Sequence, residues 1–178
     1  MSTERISPSL INVLVPNGRK TGKVNEQECD EIVRMIKAYV DSCTLLRKRS
    51  IGVISFVGDE QSRLIRGRLL DSIGPHKFKL HDILVGEPPS FQGAERDIVY
   101  LSLVSSPGHV VTQTQSMHAQ RANVALSRAR DQMVLVRSIG TNHIPNSHDI
   151  QFSILDFFEQ ATARADTISS LDERNSLG

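Results

Sequence analysis

Residues 91–104 read FQGAERDIVYLSLV, a polar loop containing one glycine that runs directly into an apolar segment. This segment is too hydrophobic for a strand with one face in water, so it predicts a strand buried on both faces. Residues 51–57, IGVISFV, have the same character. Sheets buried on both faces are typically parallel and covered by helices, so the two segments predict an α/β fold.

Strand-like and helix-like segments alternate along the rest of the chain. The predicted strands are residues 10–15, 51–57, 83–85, 98–104 and 132–136, and the predicted helices are residues 25–43, 59–73, 116–129 and 150–165. This order predicts one parallel sheet flanked by helices on both faces. Ligands of such sheets bind beyond the carboxyl ends of the strands. We therefore expect functional loops at Gly58, at residues 87–97 and after Val104.

The length of 178 residues predicts a single domain, residues 1–165, followed by a polar tail, residues 166–178, that is predicted to be disordered. Lys and Arg number 21 against 20 Asp and Glu, so the overall charge does not indicate a nucleic-acid binder. No apolar segment approaches the roughly 20 residues of a membrane span, and the N-terminus has no signal-peptide core. We expect a cytoplasmic or nuclear protein without membrane association.

Neither cysteine chemistry nor a metal site is indicated by the sequence. Cys29 and Cys43 fall in one predicted helix, where fourteen residues separate them by about 21 Å, so they cannot pair there. The histidines and cysteines do not have the spacing of metal ligands, and we expect no metal site.

Positive charge concentrates in residues 45–81, which contain eight Lys or Arg and three acids. Such a stretch is either a solvated, charged face or a surface that follows the phosphates of a nucleic acid. The sequence leaves both interpretations open.

The loop at residues 91–97 has the composition of a ligand-binding turn. Gly93 removes a side chain where the backbone could approach a ligand, and Gln92 and Glu95 supply an amide and a carboxylate beside it. The same residues also suit an ordinary turn with solvated charges before a core strand.

A second informative stretch is RANVALSRARDQMVLV, residues 121–136. On the predicted helix, Arg121 and Arg128 share one face, whereas Arg130 lies about 200° from Arg128. An arginine aimed at a transferring phosphoryl group stabilises the charge of the transition state. Arginines that form surface salt bridges are the alternative.

Taken together, the two stretches resemble motifs V and VI of the second RecA-like motor domain of superfamily 1 helicases. The similarity is greatest to the group that includes the nonsense-mediated-decay RNA helicase. FQGAERDIVYLS is similar to motif V, NVALSRAR to motif VI, and IGVISFVGDEQSRLI to the motif IV region. The resemblance covers residues 10–158 and implies a RecA-like, P-loop NTPase type of fold.

The resemblance implies a role for each matching residue. Arg128 corresponds to the arginine finger that touches the γ-phosphate of ATP. Gly93 would lie near that phosphate, Glu95 would contact the ribose, and Gln92 would hold the loop. The remaining matches are Gln61, placed with the cofactor-binding residues, Ser102, placed on the nucleic-acid side, and Asp97 with Arg130, expected to form a structural pair.

Two features depart from the complete family pattern. Many relatives carry Ser or Thr at the position of Glu87, where a carboxylate would repel a nucleic-acid phosphate. The sequence also contains neither a GxxxxGK[ST] phosphate loop nor a recognisable Walker B strand. The resemblance therefore implies that ATP and Mg²⁺ are held mainly by a first RecA-like domain, in the same or another polypeptide, and that this chain alone is inactive.

These expectations add up to one principal hypothesis and two rivals. The chain is expected to be the C-terminal half of an ATP-dependent helicase or translocase acting on single-stranded RNA or DNA. The first rival is a stand-alone, degenerate RecA-like module that binds nucleic acid or a partner protein without ATPase activity. The second is a split motor whose first half is a separate polypeptide.

Overall fold

The two apolar segments that were predicted to be buried on both faces form neighbouring strands in the middle of a five-stranded sheet. The computed structural model describes residues 6–44 and 47–176, with side chains described as far as Arg164. The strands of the main sheet are β1 (Leu10–Leu14), β4 (Ile51–Ser55), β5 (Leu84–Gly86), β6 (Arg96–Ser102) and β7 (Ala129–Arg137). They are all parallel, in the order β1-β7-β6-β4-β5. The predicted α/β class is confirmed.

Helices of the described chain cover the two faces of this sheet. They are α1 (Glu26–Ser42), α2 (Gly58–Leu80), α3 (Ser116–Leu126) and α4 (Ile150–Ser176). Successive residues of β6 point to opposite faces: Tyr100 packs in the core with α1 and α2, whereas Leu101 packs in the core with α3 and α4. Because both faces are covered, β6 is apolar along its length instead of alternating with polar residues.

Short elements connect these layers. β2 (Lys20–Thr21) and β3 (Val24–Asn25) form an antiparallel hairpin between β1 and α1, where the sequence analysis predicted no strand. Gly22, with φ of 60°, begins its two-residue turn. Short 3₁₀ helices occupy Pro88–Phe91 and Thr141–His143. The hairpin matters below because it follows β1 at the carboxyl end of the sheet.

The junction between α3 and β7 differs from the prediction. The sequence predicted a helix to residue 129 and a strand from residue 132, whereas α3 ends at Leu126 and β7 begins at Ala129. Ala129 pairs with Arg96, so hydrogen bonding to β6 extends the strand at the expense of the helix. Pairing between distant residues therefore outweighs local helix propensity here.

Two helices are longer than predicted. α2 continues from residue 73 to Leu80 across a break at Gly74, whose φ of 76° interrupts the helical backbone before Pro75. α4 extends to Ser176, so residues 166–176 continue the helix where a disordered tail was predicted. Residues 150–176 contain neither Pro nor Gly, the two residue types that most disfavour a helix interior. Residues 1–5 of the predicted domain and 177–178 of the predicted tail lie outside the described residues.

Candidate functional site

Two loops from the motif-like stretches meet at the amino-terminal edge of the sheet. The turn at residues 92–95 leads into β6, and residues 127–128 lead into β7. The backbone N–H of Arg96 donates to the carbonyl of Arg128 over 2.9 Å and joins the two loops. The sequence placed residues 87–97 at the carboxyl ends of the strands. Their first part does follow β5, but the turn itself lies where β6 begins. We call this region the amino edge.

The turn at the amino edge is anchored by Phe91 and exposed beyond it. Phe91 is fully buried, and a Cβ on Gly52 would lie 2.9 Å from its ring, so glycine in β4 makes room for it. Gly93 has φ of 75°, a backbone conformation that glycine adopts without strain. A Cβ added to it would meet no atom within 4 Å, so the space beside Gly93 is open. Gln92 and Glu95 are exposed on either side. Their polar groups are accessible to a ligand.

Arg128 lies half-buried in the connection between α3 and β7. Its Nε donates to the carbonyl of Val124 over 3.1 Å, and its Nη2 donates to Oγ of Ser127 over 2.8 Å. The helical-wheel argument for Arg128 was therefore wrong, because the residue follows the helix instead of lying on it. Its guanidinium rests at the carboxyl end of α3, where the helix dipole favours a cation.

Arg130 and Asp97 form the structural pair that the sequence predicted. Nε of Arg130 lies 3.1 Å from Oδ1 of Asp97, and Arg130 belongs to β7 rather than to a helix. The other carboxylate oxygen of Asp97 accepts from the backbone N–H and the hydroxyl of Ser50, over 2.8 and 2.9 Å. Asp97 thus ties the start of β6 to the residue preceding β4.

Glu87 forms an ion pair with Arg121 of α3. Its Oε1 lies 2.6 Å from Nη2 of Arg121, and both side chains are partly buried. This ion pair links the segment after β5 to α3. The negative charge that the sequence analysis expected to repel a phosphate is therefore balanced within the domain.

Half of the Lys and Arg in the basic stretch at residues 45–81, four of eight, form ion pairs within the described part of the chain. The pairs with described distances are Arg49–Asp131 at 2.5 Å, Lys77–Asp41 at 2.7 Å, Arg68–Glu26 at 2.8 Å and Arg63–Asp59 at 3.3 Å. The sequence left two interpretations open, and for these four residues the ion pairs fit a solvated, charged face.

Gln61 and Ser102 lie at the opposite, carboxyl edge of the sheet, and both are fully buried. The amide of Gln61 accepts from the backbone N–H of Asn25 over 2.9 Å and donates to its carbonyl over 3.0 Å. It also donates to Oγ of Ser102 over 3.2 Å. The polar atoms of both side chains already form hydrogen bonds within the protein. The expectation that they present these atoms to a ligand therefore does not fit this geometry.

Glu28 is the centre of this buried network, which the sequence analysis missed. Its Oε2 accepts from Ser102 Oγ over 2.9 Å and from the backbone N–H of Val104 over 2.8 Å. Its Oε1 accepts from Ser138 Oγ over 2.9 Å and from Asn25 Nδ2 over 3.2 Å. We call Asn25, Glu28, Gln61, Ser102 and Ser138 the buried polar cluster.

Burial raises the pKa of Glu28 to about 7, although the hydrogen bonds from Val104, Ser102 and Ser138 act in the opposite direction. A signal for Glu28 exists in the sequence. It lies four residues before Ile32 and eight before Ile36, on the apolar stripe of α1, where a charged residue is unexpected.

Val104 is buried, and its backbone is strained. The buried polar cluster contacts this backbone directly. Val104 has φ of 56°, a left-handed conformation that is costly for a β-branched side chain. Its N–H is the group that donates to Glu28. Such strain persists only where the surroundings hold it in place. Glu28 therefore shapes the chain where it leaves β6.

The remaining chemistry of the described residues is limited. Cys29 and Cys43 are both free thiols. Within residues 6–44 and 47–164, no three His, Cys, Asp or Glu side chains are grouped as metal ligands. The same part of the chain contains no helix with the length and hydrophobicity that crossing a membrane requires.

Comparison with known proteins adds the family. A family model described as an AAA domain matches residues 13–139, which is most of the chain and includes both loops of the amino edge. A relative, the DNA polymerase alpha-associated DNA helicase A of Saccharomyces cerevisiae, is 32% identical over 119 residues. The match covers 66% of this chain but 16% of that protein, so the chain spans a small part of its relative's length.

Proposed function

Because the chain belongs to the AAA domain family and is related to a DNA helicase, we propose that it is the C-terminal RecA-like motor domain of a superfamily 1 helicase, in the group related to the nonsense-mediated-decay RNA helicase. The observation that carries the proposal is the hydrogen bond between Arg96 and Arg128. This bond holds the motif V turn beside the motif VI arginine. Those are the two parts that an ATP site shared between two domains requires from this half.

The residues of the amino edge suit one wall of such a site. The open space at Gly93 permits close approach of phosphate to backbone, and the exposed carboxylate of Glu95 can accept hydrogen bonds from ribose hydroxyls. In the chain, Gln92 lies between the buried anchor Phe91 and Gly93. ATP, when bound, supplies the phosphoryl group for transfer. A first RecA-like domain would supply the phosphate loop, the Mg²⁺ ligands and the acid that activates water.

Arg128 would act by leaving its resting contacts. In the structure its guanidinium donates to Val124 and Ser127. Closure of the two domains would bring the γ-phosphate within reach, and the guanidinium would exchange these neutral acceptors for phosphate oxygens. The exchange stabilises charge that develops during transfer and thereby promotes the chemical step. Gln61 and Ser102 then support the domain from inside and do not contact ATP or the strand.

Steady-state ATP hydrolysis by the complete protein, with a single strand present, tests the assignment. Arg128→Ala should lower kcat by about 10³-fold or more, as loss of an arginine finger does. Glu95→Ala should mainly raise KM for ATP, because a ribose contact is made equally in the ground and transition states. Arg66→Ala, at an exposed position of α2, is the control and should change neither parameter.

Survival of turnover in Arg128→Ala would contradict the motor assignment. The module that binds nucleic acid or a partner protein without hydrolysis would then be the better account. A split motor would require the same residues, and its kinetics would depend on the concentration of the second polypeptide.

A further inference from the structure

The loop after β1 and the loop after β6 enclose a groove at the carboxyl edge of the sheet. Its main cavity has a volume of about 610 Å³. The lining consists of Pro16, Asn17, Gly18, Arg19, Lys20, Thr21, Ser106, Pro107 and His109. A second cavity of about 560 Å³ shares Lys20, Thr21 and His109 and continues along residues 108–111. None of the described residues that line either cavity is acidic.

Two cations of this groove lack carboxylate partners. Arg19 is exposed and Lys20 is half-buried, and neither forms an ion pair within the described part of the chain. Burial lowers the pKa of Lys20 because its charge is partly desolvated. In contrast, four of the eight cations of residues 45–81 form ion pairs within the described part of the chain. Partly desolvated positive charge without a counter-ion favours an anionic ligand.

The walls of the groove are fixed by buried contacts. The backbone N–H of Lys20 donates to Oγ of Ser106 over 3.0 Å and joins the two loops. Gly18 lies so close to the buried polar cluster that a Cβ there would be 1.9 Å from Oγ of Ser138. Oγ of Ser105 donates to Gln151 of α4 over 2.8 Å. The groove is therefore held in shape before any ligand arrives, which lowers the entropic cost of binding.

We propose that this groove binds the phosphates of a single-stranded nucleic acid, with Arg19 and Lys20 as the phosphate contacts. The inference rests on the proposed function and adds the site on this chain. The groove lies at the carboxyl ends of parallel strands, where ligands of such sheets bind. An open groove that continues past Lys20 suits a chain of phosphates better than a single anion. The seven-residue strand β6 separates it from the amino edge by about 20 Å.

Fluorescence anisotropy with a labelled 12-nucleotide oligo(dT) and the full chain, without ATP, tests the groove. The Arg19→Ala/Lys20→Ala variant should weaken binding about tenfold. It should also reduce the slope of log K against log salt by about 1.4, because each phosphate contact on a single strand contributes about 0.7. The matched control is Arg66→Ala/Lys79→Ala, which removes the same charge from exposed positions of α2. It should change affinity less than threefold.

Three results would overturn the inference: no measurable binding by the full chain, equal losses in the two double variants, or displacement of the strand by inorganic phosphate at constant ionic strength. The last would identify free phosphate as the ligand. None of these results bears on ATP turnover in Arg128→Ala. A failure here is therefore distinguishable from a failure of the proposed function.

Discussion

The carboxylate of Glu28 receives four hydrogen bonds in a fully buried site. Two come from hydroxyls, one from an amide side chain and one from the backbone N–H of Val104. Four donors favour the charged form, whereas burial favours the neutral form and prevails, with a pKa of about 7. The proton on Glu28 is therefore linked to the stability of the carboxyl edge.

Replacing Glu28 by Gln should change the pH dependence of stability. Between pH 4.5 and 7 the unfolded chain has lost the Glu28 proton while the folded protein retains it. The contribution of this group to stability therefore falls as pH rises through that window and is constant above it. The difference between a pKa of about 7 and the ordinary 4.5 corresponds to about 3 kcal/mol.

Urea unfolding at pH 4.5 and pH 8 measures this effect. The difference in unfolding free energy between the native protein and Glu28→Gln should shift by about 3 kcal/mol in favour of Gln as pH rises. Contributions of other titrating groups largely cancel in that comparison. A difference that is the same at both pH values would show that Glu28 does not retain its proton.

Gly18 is a residue whose replacement should fail for lack of space. A Cβ there would lie 2.6 Å from Cβ of Ser138, which is too close for the backbone to tolerate without movement. Gly18→Ala should therefore reduce the unfolding free energy by roughly 1–3 kcal/mol, as overpacking does. Gly67→Ala is the control, since nothing lies within 4 Å of its Cβ position in α2.

The control should have the opposite sign, because alanine in a helix interior is more stable than glycine by roughly 0.5–1 kcal/mol. Chemical denaturation of both variants compares them directly. Equal effects of the two substitutions would mean that the loop at Gly18 moves away without cost.

At the scale of elements, the α3–β7 junction explains what the sequence could and could not predict. The sequence placed NVALSRAR beside the QGAERD loop by resemblance, and the backbone bond from Arg96 to Arg128 brings these two stretches together. It did not predict that Arg128 follows the helix. The pairing of Ala129 with Arg96 decides that boundary, and such pairing is invisible to a local helical pattern.

The same limit explains the missed hairpin and the missed buried polar cluster. β2 and β3 contain two residues each, too few for an alternating pattern to be recognised. Glu28 and Ser138 are 110 residues apart in sequence and meet only because α1 packs over the ends of β6 and β7. In contrast, β4 and β6 were predictable, because the burial of both their faces follows from their apolar composition alone.

The ion pair between Glu87 and Arg121 connects the segment after β5 to α3. Its 2.6 Å separation and partial burial predict a coupling of about 1 kcal/mol in a double-mutant cycle. The cycle consists of Glu87→Gln, Arg121→Gln and the double variant, each unfolded in urea at low and high salt. The coupling should shrink at high salt. Additivity within about 0.3 kcal/mol at low salt would mean that the pair does not hold these elements together.

Across the molecule as a whole, the parallel sheet separates the amino edge from the carboxyl edge. The amino edge carries Gln92, Gly93, Glu95 and Arg128, and the carboxyl edge carries the groove above the buried polar cluster. The strands between them pack into both cores, so they form a rigid connection. In the proposed function, this arrangement would let the domain respond to ATP at one edge while a nucleic-acid strand occupies the other.

In the proposed function, Arg128 completes an ATP site shared with another domain. The most direct measurement is the single-turnover rate of ATP hydrolysis by the complete protein with bound single strand, compared between the native protein and Arg128→Ala. We expect a loss of about 10³-fold or more, with strand affinity unchanged within threefold. A rate within tenfold of the native value would contradict the claim, because an arginine finger cannot be removed at so small a cost.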